Sequence, residues 1–207
     1  MAAPRTSVDF VNRALTLLGE NEITALDPGE SAQAAIATQL YESTKETLLT
    51  GFQWKFATKR ADLVVLSDTA PDPWSYMFAL PDDYLDLQRT RPLGVNYELT
   101  AQPTAPFSTR LVTNQSALAI EYTFDVGEGL MPAMFQEALV LKLAVKFAVA
   151  ITEDPNKAAL WSGPSMQAEA KARTQDYQQA PAREIIDDNG LASRRHVPRS
   201  SGGRTWG

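Results

Sequence analysis

The sequence predicts an α+β fold: a helical bundle of two N-terminal and two C-terminal helices, with an antiparallel β-sheet region between them. Three observations predict it. Apolar residues recur at helical spacing up to Gly51, as in Ile36, Leu40, Thr44 and Leu48. Between Trp54 and Val126 the period changes to two: Trp74, Tyr76, Phe78 and Leu80 alternate with smaller residues, as do Leu118, Ile120, Tyr122 and Phe124. At Pro132 a long apolar run begins that contains no turn signal before Thr152. The expected body spans residues 1–188, with helices within 7–51 and 132–178 and the sheet region at 52–130. Residues 189–207 form a separate basic tail.

Ser7 is the expected N-cap of the first helix, with Asp9 favourable in its first turn. Val8, Val11, Leu15 and Leu18 share one face, and Gly19 is a natural stop. Asp27-Pro28-Gly29 is a turn, and Ser31 caps the second helix. The stripe from Ile36 to Leu48 is expected to face the core. Glu42, Lys45 and Glu46 lie off it, on a solvated face. After Gly51 comes Phe52-Gln53-Trp54-Lys55-Phe56-Ala57, then the apolar run Leu63 to Leu66 and a Pro71-Asp72-Pro73 turn before the aromatic strand Trp74 to Leu80.

Further strands are expected at Leu85–Thr90, Tyr97–Ala101, Thr109–Thr113 and Ala117–Asp125. In the last, Ala119, Glu121, Thr123 and Asp125 should form a wet face. Residues 102–106 are a Pro-containing loop. Pro132 opens a helix roughly 30 Å long that is apolar nearly all round, with Lys142 and Lys146 as its main polar stripe. Such a helix must be covered on several sides, at the centre of the bundle or against a neighbouring subunit. Leu139, Val145 and Phe147 are therefore expected as core or subunit contacts. Asp154-Pro155 starts the last helix, which Gly163-Pro164 should interrupt before it resumes to about Gln178.

Composition excludes much chemistry. The 207 residues contain no cysteine and a single histidine, His196, so disulfides, thiolate metal sites and nearly all histidine-based catalysis fall away. The net charge of −6 makes the whole chain a poor sequence-independent binder of phosphates. No apolar run near Met1 suits a signal peptide, and Glu137, Lys142 and Lys146 argue against a membrane span at residues 131–152. A soluble protein made in a reducing cytoplasm is expected. Three acidic pairs, Asp82/Asp83, Glu153/Asp154 and Asp187/Asp188, could do acid–base work only if their environments split their pKa values. Turn and capping roles explain all three more simply. There is no Gly-x-Ser-x-Gly elbow and no phosphate loop. The aromatics of residues 74–84 have few cations between them, so they suit a sheet core better than a base-stacking platform. No catalytic residue, cofactor or metal is expected. The tail from Asn189 carries Arg194, Arg195, Arg199 and Arg204 and no acidic residue. It is expected to be disordered in the free chain and to bind a partner through those arginines, with DNA phosphates as the rival partner.

The order of several of these features resembles a known family. A first helix ending Leu18-Gly19-Glu20 is followed by Ile23 and Leu26. A long helix then ends just before Gly51 and Trp54-Lys55-Phe56-Ala57, and an aromatic strand runs into Leu80-Pro81-Asp82-Asp83-Tyr84-Leu85. Over residues 8–177 this resembles tail tubular protein A, the head-to-tail adaptor of short-tailed (podovirus-type) bacteriophages. The resemblance implies a structural virion protein in the tail or neck, made in the host bacterial cytoplasm. It implies a ring, usually a dodecamer, that joins the portal protein to the tail nozzle protein, offers tail fibres an attachment place, and lets DNA leave through its channel without specific binding. Rival classes are a small soluble hydrolase using an acidic pair and a transient assembly factor.

Overall fold

The computed structural model describes residues 6–102 and 108–179. Helix α1 spans Ser7–Leu18. Its N-cap is Thr6 and not the expected Ser7. Thr6 keeps an extended backbone, its side chain accepts from the Asp9 N–H at 3.3 Å, and its own N–H donates to the Asp9 carboxylate at 2.7 Å. This reciprocal pair satisfies two N-terminal donors, and the three-residue spacing from Thr6 to Asp9 selects it. Gly19 ends the helix at φ 75°, a conformation open to glycine without strain.

Helix α2 spans Ala32–Thr50, and Ser31 caps it through the Ala34 N–H as expected. Its buried face is rotated from the expected one. Ala34, Ala37, Tyr41, Thr44, Lys45, Leu48 and Leu49 are buried, whereas Ile36 and Leu40 are only half-buried. Alanines at 34 and 37 let α2 approach its neighbours closely, and the larger residues Ile36 and Leu40 are left at the edge.

Seven strands follow: β1 (Thr58–Asp62), β2 (Val64–Val65), β3 (Tyr76–Ala79), β4 (Tyr84–Arg91), β5 (Tyr97–Gln102), β6 (Ser108–Thr113) and β7 (Ala119–Phe124). They make two antiparallel sheets, ordered β1-β7-β4 and β2-β3-β6-β5. The alternation expected for β7 holds on its inner face, where Leu118, Ile120, Tyr122 and Phe124 are all buried. The expected wet face holds only in part: Asp125 is exposed and Glu121 half-buried, but Ala119 and Thr123 are buried. β7 is the central strand, and polar neighbours cover its outer side; Gln88 of β4 donates to the hydroxyls of both Thr123 and Thr58 at 2.9 Å. In the aromatic segment only Phe78 is fully buried. Tyr76 and Leu80 pack half-buried on the core, and Trp74 sits at the rim with its indole N–H on Glu98 at 3.1 Å.

Helix α3 spans Ala133–Ala150 after a 3-10 turn at Glu128–Leu130. It contacts α1 and α2 and, most extensively, α4. The long apolar helix is thus mostly covered within one protomer, with Leu139 and Phe147 fully buried and Met134 and Val149 left exposed. Helix α4 spans Pro155–Gln178 and opens on Asp154, whose carboxylate accepts from the N–H groups of Asn156 and Lys157. It is not interrupted at Gly163-Pro164. Pro164 lies inside one continuous helix. Leu160, whose carbonyl loses its donor, and Pro164 both lie on the exposed side, where water can take that carbonyl, and packing against α3 offsets the remaining cost of a mid-helix proline.

Trp54 ties the layers together. It is fully buried and donates its indole N–H to the Leu48 carbonyl at 2.8 Å, at the end of α2. Its ring meets Phe52 and Phe135 edge-on, each at 5.0 Å between centroids, a geometry favoured by the aromatic quadrupole. The next N–H, of Lys55, donates to Asp176 of α4 at 2.9 Å. The segment after Gly51 is therefore the joint at which α2, the start of α3 and the end of α4 meet.

Candidate interaction surfaces

The acidic pairs are structural where they are described. Asp83 accepts from the Lys59 ammonium at 2.6 Å and from the Tyr122 hydroxyl at 2.9 Å, while Asp82 is exposed. Burial works against ionisation of Asp83, but the hydrogen bonds from Lys59 and Tyr122 and the Lys59 charge outweigh it and hold the carboxyl below its usual range. Burial and this contact push the Tyr122 phenol up to about 12. Asp154 is a helix cap, and Glu153 takes a left-handed backbone at φ 51°. Asp187/Asp188 lies outside the described residues. Among the described residues no group of His, Cys, Asp and Glu could hold a metal ion.

A depressed carboxyl contributes stability above its unfolded pKa of about 3.9 and loses it as pH falls through the folded value. The acid limb of stability below about pH 4 should therefore flatten in Asp82→Asn/Asp83→Asn, with a loss of about 1 kcal/mol at neutral pH because the Lys59 pair is half-exposed. Urea unfolding from pH 2.5 to 7 checks this. An acid slope equal to the wild type would show that Asp83 is not so held.

Two polar clusters were not legible in the sequence. Lys45, expected on a solvated face, is buried; its ammonium lies 2.7 Å from Asp125 and 3.7 Å from Glu128. Tyr41 donates its hydroxyl to Glu128 at 2.9 Å, and burial followed by the Glu128 charge pushes its phenol above the usual range. The cluster joins α2 to the connection between β7 and α3. On the outer side of the three-stranded sheet, Glu121 accepts from Arg91 at 2.7 Å and faces Arg89 at 3.8 Å. The Arg91 hydrogen bond holds its carboxyl below the usual range, against burial and with help from the charges of Arg91, Arg89 and Arg60. Both clusters pair residues from separate elements within one chain, as structural ion networks do.

Of the residues expected at contacts, Leu139 and Phe147 are fully buried inside the protomer, and Val145 is half-buried. Arg194, Arg195, Arg199 and Arg204 lie outside the described residues. The described part is more acidic than the whole chain. Arg5, Arg183 and the four tail arginines fall outside it, against only Glu184, Asp187 and Asp188 among the acids. Exposed apolar side chains include Val64 on β2, Leu93 between β4 and β5, Val149 on α3, and Leu160, Met166 and Tyr177 on α4. No helix among the described residues is long and apolar enough to cross a membrane.

What these residues offer is paired charges, capped helices and exposed faces, with no metal-binding group among the described residues. A protein-family model described as Tube: Tail tubular protein matches residues 8–181. The chain belongs to this family of phage tail proteins, as the ordered features of its first two helices and aromatic strand led one to expect. It is a structural component of the virion tail, and membership in such a family implies a non-enzyme. A search among curated proteins finds no match for the chain.

Proposed function

We propose that the chain is the head-to-tail adaptor: copies form a ring, a dodecamer in the family it resembles, that joins the portal to the tail nozzle and surrounds part of the DNA ejection channel. The observation that carries this is the match to a tail tubular family over residues 8–181. A tube built from a 22.7 kDa chain needs repeated copies, because one close-packed body of that size has no room for a lumen. An acidic body suits a channel through which DNA must slide, because it lacks the cation excess that holds phosphates. In this reading residues 1–188 are the adaptor body, made in the host bacterial cytoplasm. Residues 189–207 grip the portal through Arg194, Arg195, Arg199 and Arg204, since arginine suits bidentate contacts with a partner's carboxylates. Individually weak grips add around a ring by effective concentration. Tail fibres dock on the outside.

Imaging the purified protein with and without portal tests the ring. A chain truncated after Asp188 tests the grip. It is expected to fold, to lose the salt-sensitive docking to portal, and to leave DNA affinity negligible. Undiminished, salt-insensitive docking of the truncated chain would overturn the role of the tail.

A further inference from the structure

Helix α4 is amphipathic in an unusual sense. A solvated helix face ordinarily carries charge, and the exposed side of α2 does so with Glu42 and Glu46. On α4 the charged side chains other than Lys171 are paired along the edge that meets the body, with Lys157 and Arg173 still partly exposed. Lys157 donates to the Leu18 carbonyl at 2.9 Å, Glu169 binds Lys142 and Arg173, and Asp176 holds the Lys55 N–H. Of the residues of α4 on the outward side, from Leu160 through Gly163, Met166 and Ala170 to Tyr177, Lys171 is the single charged one, and at the far end the Lys55 ammonium lies 5.0 Å over the Tyr177 ring. Leu160, Met166 and Tyr177 are 68%, 73% and 73% exposed. A side chain at Gly163 would meet nothing within 4 Å, so the backbone at the middle of this face is open to close approach by a partner.

We infer that the outward face of α4 is the surface by which one copy of this chain packs on the next. This rests on the reading of the protein as a ring. Depletion of charge with enrichment of Met and Tyr is the composition of an interface core, and not of a free surface. The size fits as well. A helix of 24 residues is about 36 Å long, and its outer half presents on the order of 600 Å². That is most of the roughly 800 Å² per partner in a stable interface. The occupant is a second copy because a tubular assembly must bury a repeated side of every protomer. A closing ring does so head-to-tail, so this face meets a different face of its neighbour.

The test places two glutamates on the face, Met166→Glu with Ala170→Glu, in the full chain. Gln39→Glu with Ser43→Glu, at the same spacing on the exposed side of α2, is the control. Light scattering across protein concentration reads assembly, and circular dichroism reads the fold. The α4 variant is expected to melt as the wild type does and to need at least tenfold more protein to assemble, while the α2 control assembles normally. An α4 variant that assembles like the wild type overturns the inference and leaves the ring reading standing. So does one that assembles normally and loses only its docking to portal, which would give the face to that partner. A wild-type chain that stays monomeric at every concentration overturns both.

Discussion

Leu139→Asp should unfold the protomer, and not merely block assembly. Leu139 is fully buried on α3, one turn from both Phe135 and Leu143, which are buried as well. α1, α2 and α4 pack around this helix. Truncation of such a leucine to alanine costs about 2–5 kcal/mol through lost transfer energy and the cavity left behind. A carboxylate there adds several kcal/mol more, since Leu139 lies within the buried apolar cluster and a charge taken out of water there is costly. The total approaches the whole stability of an ordinary domain, about 5–15 kcal/mol. Loss of the far-UV helical signal and aggregation on expression are the expected results. Val145→Asp, at a half-buried position on the same helix, should fold with a much smaller loss. A folded, monomeric Leu139→Asp would move that residue from the core to a subunit contact.

The contrast between Leu139 and Val145 shows what was legible in the sequence. That α3 had to be covered followed from its apolar circumference; what covers it did not, because a hydrophobic pattern does not distinguish the chain's own helices from a neighbour's. Signals carried by adjacent residues were legible: Ser31, Gly19 and Asp154 cap or stop their helices through bonds spanning a few residues. The alternating strands β3 to β7 were found to within a residue or two because alternation is local, whereas β1 was missed, since Thr58-Lys59-Arg60-Ala61-Asp62 carries no apolar alternation. Lys45 was not legible, since its partners Asp125 and Glu128 are about eighty residues away in the chain, and a charged residue with no near partner reads as solvated. The division of the strands into two sheets was hidden for the same reason: β7 pairs with β1 and β4, far from it in sequence. Pro164 misled because a proline's local preference is to end a helix, whereas packing along α3 carries α4 through it. The candidate surface on α4 became visible only when structure showed which of its side chains turn inward.

Lys45 supplies the second large effect. Its side chain is 7% exposed, while Asp125 is 53% and Glu128 25% exposed. The ammonium is thus the desolvated member and the carboxylates stay partly hydrated. Replacement by methionine removes the buried charge while keeping most of the shape. Water then takes up Asp125, and Glu128 keeps the Tyr41 hydroxyl, so the expected loss is about 1–2 kcal/mol. Lys45→Glu is different in kind, because it sets a third carboxylate against two others in a poorly hydrated place. About 3–5 kcal/mol is expected, enough to loosen the joint between α2 and the turn before α3. Denaturant unfolding gives both values. Adding Tyr41→Phe to the wild type and to Lys45→Met isolates the hydroxyl. Its removal should cost more in the Lys45→Met background than beside the native lysine, since there it is the remaining donor on Glu128, and pairs in one network couple in this way. Lys45→Glu with wild-type stability would mean that the lysine swings out to solvent and that the cluster does not hold α2 in place.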